Sequence, residues 1–203
     1  MNIGTQVMAK DGLGELKTEH RYTFLKNDPE TGWATLVEFT TQKKGRRVHI
    51  HRLSRDVLLK AVDTPAGEQQ IIVAPEQLSL PPWLSSIEGA DLDELDLVRK
   101  GGKIPFRART EQRYGYIAEL LPRLHEILSA KNPFTIINAH ARAMSPRQNR
   151  ERLAEWFFAY VCYKRKLIAL FPEFPNIGTY DKSDPKYSNT HFGVVSIHLS
   201  PSG

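Results

Sequence analysis

One cysteine, Cys162, occurs in 203 residues, and a single thiol excludes both an internal disulfide and a cysteine-rich zinc module. Its setting in WFFAYVCYKR is aromatic, so it reads as buried apolar filling rather than a reactive group. No apolar run approaches the ~18 residues that a membrane-spanning helix needs. The opening stretch MNIGTQVMAKDGLGEL lacks the apolar centre of a signal peptide. A soluble, cytoplasmic protein without a membrane partner is expected. The chain also has no nucleophile elbow, no phosphate-cradling glycine loop and no HExxH, so neither an enzyme nor a cofactor is expected. Repeats and low-complexity segments are absent as well.

What the chain does have is charge, unevenly spread. The net charge is +5. Residues 1–64 hold eleven cations against eight acids, and residues 65–98 hold seven acids and no cation. Residues 99–203 hold seventeen cations against eight acids. Two basic parts joined by an acidic connector suit a polyanionic partner, because neutralised phosphates release counterions.

The fold class expected is α+β. Over residues 1–63, RYTFLKND, WATLVEFTT and VHIHRL carry β-branched and aromatic residues between the turn signals PETG and TQKKGRR. They predict a three-stranded meander. Ser54 can cap a closing helix, RDVLLKAV, with Asp56 favourable in its first turn. Residues 64–105 form an acidic, Pro-rich connector, in which Trp83, Leu84, Ile87, Leu92, Leu95 and Leu97 predict docking on a neighbour. Gly101 and Gly102 mark its end. Residues 106–175 read as an all-α domain containing a helix-turn-helix. Tyr114, Ile117, Leu121, Leu124 and Leu128 form an apolar stripe, broken or restarted at Pro122. Residues 176–203 predict a poorly ordered tail.

The strongest local signal is SPRQNRERLAEWFF, from Ser145. Ser145 fits an N-cap, Pro146 the first helical position and Gln148 the third, which predicts a capping box and a helix to about Leu170. On a wheel, Leu153, Trp156, Phe157, Tyr160 and Val161 share one side, while Arg147, Gln148, Glu151, Arg152 and Glu155 share the other. The first turn of a second helix reads base edges in a helix-turn-helix. Arg suits guanine there, and Gln or Asn suits adenine. Arg147, Gln148, Asn149 and Arg152 are therefore candidate DNA contacts. A plain helical hairpin is the competing reading, since Glu151 and Glu155 would repel phosphate. Lys43, Lys44, Arg46 and Arg47 in KKGRR are candidate backbone contacts, or else a solvated hairpin tip. YKRK, residues 163–166, offers the same choice. His49 and His51 alternate on a strand, but nothing specifies a third metal ligand. DLDELD, residues 91–96, reads as a solvated helix face rather than a divalent-ion site.

The order of these features resembles a known arrangement. Arg113, Tyr114, Ile117 and Leu121, then IINAHARAMSPRQNRERLAEWFFAY, then Leu170 and Pro172, with IGTYDK following, are similar to the N-terminal DNA-binding part of TnsB-like transposases. These are DDE-type integrases of heteromeric bacterial transposons, related to Mu-type transposases. The resemblance covers most of residues 15–182. It implies recognition of double-stranded transposon ends, with a transposition ATPase and other transposase subunits as partners. In that family a downstream RNase H-like domain with two Mg²⁺ ions performs strand transfer. No catalytic residue of that core maps onto this chain, which is expected to be a fragment, a frameshifted remnant or a stand-alone DNA-binding factor. The alternative is a protein-interaction module regulating a transposition complex, with the acidic connector, Trp83 and the aromatic run 156–163 as contact surfaces. A metal-dependent nuclease has little support.

Overall fold

A computed structural model describes residues 1–42, 45–64, 71–74, 78–98 and 104–172. The strands are β1 (Gln6–Ala9), β2 (Arg21–Asp28), β3 (Trp33–Gln42), β4 (Gly45–Ser54) and β5 (Ile71–Val73). The helices are α1 (Arg55–Asp63), α2 (Leu92–Leu97), α3 (Phe106–Ile117), α4 (Leu124–Ser129), α5 (Phe134–Ala143) and α6 (Arg150–Cys162). The fold is α+β. Its five strands form one antiparallel sheet in the order β4-β3-β2-β1-β5.

The meander expected from the sequence is the β2–β3–β4 part of this sheet. Between β2 and β3, the Asp28 side chain accepts from the amides of Glu30 and Thr31, and Gly32 takes a φ of 68° that a side chain would strain. The added strands β1 and β5 have four and three residues, too short to show a period. The expected tail at 176–203 and boundary at Gly101 and Gly102 lie outside the described residues.

Alternation along the strands gives the sheet two apolar faces. On one, Val7, Tyr22, Phe24, Leu36 and Leu53 pack with Leu58 and Ala61 of α1. On the other, Leu25, Val37 and Val48 join Ile117, Ile127, Ile137, Phe157 and Phe158 in a single cluster. The sheet is thus a middle layer, and the helices after residue 105 share its core. Tyr163 is buried in this seam beside Phe39 and Trp83, with its hydroxyl bonded to Thr23 and Gln6. Burial pushes the Tyr163 phenol and the Cys162 thiol above their usual pKa ranges. Cys162 is therefore the inert filling expected.

Several helix ends differ from the sequence reading. Ser54 precedes α1, but its hydroxyl makes no cap bond. Near Pro122 the restart is as expected: α3 ends at Ile117, a 3-10 turn spans Ala118–Leu120, and α4 begins at Leu124. Helix α6 starts at Arg150 rather than Pro146 because Asn149, not Ser145, is its N-cap. The Asn149 carboxamide accepts from the amides of Glu151 (2.9 Å) and Arg152 (3.0 Å). Gln148 cannot complete a capping box, since its carboxamide donates back to the Pro146 carbonyl. The helix ends at Cys162, well before Leu170, where Lys164 and Arg165 turn the chain with φ of 57° and 53°. A 3-10 turn, Leu167–Leu170, follows.

The connector docks through the apolar residues expected except Leu97, which is 86% exposed because it lies on the outer side of α2. Leu80, Leu84, Ile87 and Leu92 form a small cluster with Phe171. Its acids Asp91, Asp93 and Glu94 are exposed, as a solvated helix face requires, and they also have structural partners. Asp91 and Glu94 make a capping box on α2. Asp96 accepts from the backbone amides of Phe106 and Arg107, so it satisfies donors at the start of α3. Asp93 takes the Arg107 guanidinium in a two-point ion pair.

Candidate nucleic-acid interface

The residues singled out in SPRQNRERLAEWFF lie on the first turn of α6 and in the connection between the two consecutive helices α5 and α6. Residues 144–149 join them, and the amide of Gln148 donates to the Ala141 carbonyl at 3.1 Å, which folds this segment back onto the end of α5. The peptide between Ser145 and Pro146 is cis. Arg147 lies on this turn and is exposed, Gln148 is half-buried, and Asn149 is used as the cap. Arg152, exposed on the first turn of α6, lies over Trp156 at 6.0 Å.

Beyond that first turn, α6 offers little to a ligand. Leu153, Ala154, Trp156, Phe157, Phe158, Ala159, Val161 and Cys162 are all buried, because the sheet covers one side and α3 and α5 cover others. Trp156 alone meets the Tyr116 ring, 6.0 Å away, and the Arg113 guanidinium, 4.9 Å from its centroid. The helix is a core element whose first turn reaches the surface.

The basic hairpin takes a different role from the one its composition suggests. Arg46 is on the helix-facing side of β4, and its side chain is only 8% exposed. Its Nε lies 3.2 Å from Glu155 Oε1, and its guanidinium sits 4.2 Å from the Trp83 ring centroid. Arg46 therefore ties sheet to helix and is not presented to a phosphate. Arg47, half-exposed, approaches Glu151 at 3.6 Å. Lys43 and Lys44 lie outside the described residues. Glu151 and Glu155, expected to share the DNA-facing side, instead turn toward the hairpin.

This rearrangement leaves Arg142, Arg147, Arg150 and Arg152 exposed around one turn. Among the described residues, none of the four has an acidic partner. Sequence reasoning missed Arg142 and Arg150. Arg142 belongs to the last turn of α5 and reaches the group only through the fold-back at Gln148. Arg150 lies inside the quoted segment but on the apolar side of the wheel, and it stays exposed only because it is the first residue of α6, at the end of the packed stretch.

On the opposite face of the sheet, His20 Nδ1 and His51 Nε2 both donate to the carboxylate of Glu38, which is 7% exposed. Burial works against the Glu38 charge, but the bonds from His20 and His51 outweigh it and hold the carboxyl below its usual range. His49 lies on the same face and bonds Thr40. Among the described residues, no group of three or more His, Cys, Asp or Glu could hold a metal ion.

Among the described residues no helix is long and apolar enough to cross a membrane. No family model matches the chain, and no curated protein is similar to it.

Proposed function

We propose that this chain is a DNA-binding protein without a catalytic step of its own, gripping duplex DNA through the turn between α5 and α6. The observation that carries the reading is the set of four exposed arginines, Arg142, Arg147, Arg150 and Arg152, left without acidic partners among the described residues. Arginines of this kind hold phosphates and fix a protein on the duplex. Because α6 is a core helix, base contacts come only from its exposed start and the turn before it, through Arg147, Gln148 and Arg152. Asn149 spends its carboxamide oxygen on the helix cap, so it cannot make the two-point contact to adenine while it does so. The resemblance to TnsB-like transposases supports transposon ends as the duplex, in the cytoplasm. It also supports a transposition ATPase and other transposase subunits as protein partners.

A gel-shift titration of the intact chain against duplexes carrying repeated transposon-end sequences tests this. Affinity is expected to fall with salt with a log–log slope on the order of −2, from about two phosphate contacts, Arg142 and Arg150, at ~0.9 each. Arg150→Ala is expected to flatten that slope by about one on every duplex, whereas Arg147→Ala and Gln148→Ala also erode the preference for one sequence. The absence of any shifted complex at low salt would end the reading.

A regulatory protein-interaction module is the second reading. Trp83 and the aromatic run 156–163, its expected surfaces, are mostly spent inside the fold. What favours it is the exposure of Leu97, Val98 and Ile104 at the end of the connector. Co-purification with an ATPase, lost on Leu97→Ser and independent of DNA, would decide for it.

A further inference from the structure

A groove follows β4, which is an edge strand of the sheet, on the side facing the turn before α5. Two adjoining hollows, of about 510 and 280 Å³, share Asn132 and Phe134 as a common wall. The larger holds Trp33, Arg52 and Lys131, and the smaller holds Arg47 and Arg150. Arg150 is also one of the four arginines of the α5–α6 turn, so the groove begins where the proposed duplex grip ends.

Three properties describe what would fit. First, the walls are cationic. Arg47, Arg52, Lys131 and Arg150 face two acids, Glu15 and Glu151, and Glu151 already lies 3.6 Å from Arg47. Second, Arg52 is held in position by donating from one nitrogen to the carbonyls of Leu128 (2.9 Å) and Ala130 (2.6 Å). Its other N–H groups remain donors for a ligand. Third, the groove carries a large uncovered ring. Trp33 is 46% exposed at the start of β3, whereas Trp83 and Trp156 are packed among aromatic neighbours.

An exposed indole beside fixed cations can stack only on a base whose face is free. Inside a duplex those faces are already covered and only the terminal pair offers one, so the ligand that can both stack on Trp33 and lie along the cationic groove is unpaired nucleic acid. From Arg47 to Arg52 the strand advances about 17 Å at ~3.3 Å per residue. That accommodates about five stacked nucleotides at ~3.4 Å each, at the low end of known single-strand sites.

We propose that the groove along β4 binds a short single-stranded segment at a DNA end, with Trp33 stacking on a base and Arg52, Lys131 and Arg150 holding its phosphates. The inference rests on the duplex-binding reading and names the form of DNA recognised: a duplex with an unpaired extension rather than a blunt one.

Fluorescence anisotropy with the intact chain tests it, using a blunt duplex, the same duplex with a five-nucleotide single-stranded extension, and a ten-residue oligothymidylate. The extended duplex is expected to bind about tenfold more tightly than the blunt one, the gain of roughly one stacked base. Trp33→Ala and, separately, Lys131→Glu at an exposed site should remove most of that gain and leave blunt-duplex affinity unchanged. Trp33→Phe should retain part of it. Quenching of tryptophan fluorescence by the oligothymidylate should disappear in the Trp33 variants. Equal affinity for blunt and extended duplexes overturns the groove proposal while the duplex reading stands. Binding of the oligothymidylate alone, with no binding of the blunt duplex, overturns the duplex reading instead. Displacement of the extension by an acidic decapeptide at equal concentration overturns the groove proposal in favour of a protein ligand.

Discussion

At the level of single residues, the same side-chain type takes opposite roles according to its neighbours. Arg46 and Arg147 look alike in the sequence, yet one lies between Glu155 and Trp83 and the other is exposed on a turn. Glu38 shows the same dependence in an acid. A glutamate in mid-strand would ordinarily point to water, but two histidine N–H groups make a buried carboxylate tolerable. Because the folded Glu38 pKa is depressed, its contribution to stability is present above the ordinary glutamate range, near pH 4.3. The contribution is lost as pH falls through the depressed value. Glu38→Gln keeps an acceptor but not the charge, and it should cost about 1–3 kcal/mol at neutral pH. The gap to the wild type should narrow below about pH 4. Urea melts at several pH values measure this, and a pH-independent gap would show that the charge is not what stabilises the site.

At the level of elements, helix boundaries were the least legible feature, and the reason is physical. Ser145, Pro146 and Gln148 satisfy the composition of a helix start, while Asn149 is an equally good cap four residues later. Which one is used depends on where the apolar residues Leu153, Trp156 and Phe157 must sit to reach the sheet, and that is not a local property. Asn149→Ala is therefore expected to lower stability by about 1 kcal/mol, whereas Ser145→Ala should change it by less than about 0.5 kcal/mol. Thermal denaturation by circular dichroism separates the two, and a reversed order would show that the cap is misassigned. The acids of the connector teach a related lesson. DLDELD looks like a solvated helix, yet Asp96 satisfies amides at the start of α3, ten residues away along the chain.

For the molecule as a whole, the important property is that sheet and helices share one core. Leu25, Val37 and Val48 pack with Phe157 and Phe158, and Arg46 and Arg52 anchor β4 to α6 and to the end of α4. Such an arrangement should unfold as one unit. Far-ultraviolet and near-ultraviolet signals are expected to lose structure at the same urea concentration. Arg46→Ala should lower both midpoints together, by about 1–3 kcal/mol, through the loss of its partly buried pair. Two separated transitions would show that strands and helices are independent. The duplex grip and the β4 groove depend on this coupling, since Arg150 lies on a helix and Arg52 on a strand.

Sequence alone determined the α+β class, the three long strands, the restart at Pro122, the inert Cys162 and the charge imbalance. Each follows from residue type and short-range period, which act within a few positions of the chain. Only tertiary structure decided which cations stay free. Pairing depends on distances across the fold, and it took Arg46 and Arg47 toward the glutamates of α6 while leaving Arg142, Arg147, Arg150 and Arg152 at the surface. The segment SPRQNRERLAEWFF thus disclosed an arginine-rich helix start, but the identity of its exposed members was settled by what the sheet had already claimed.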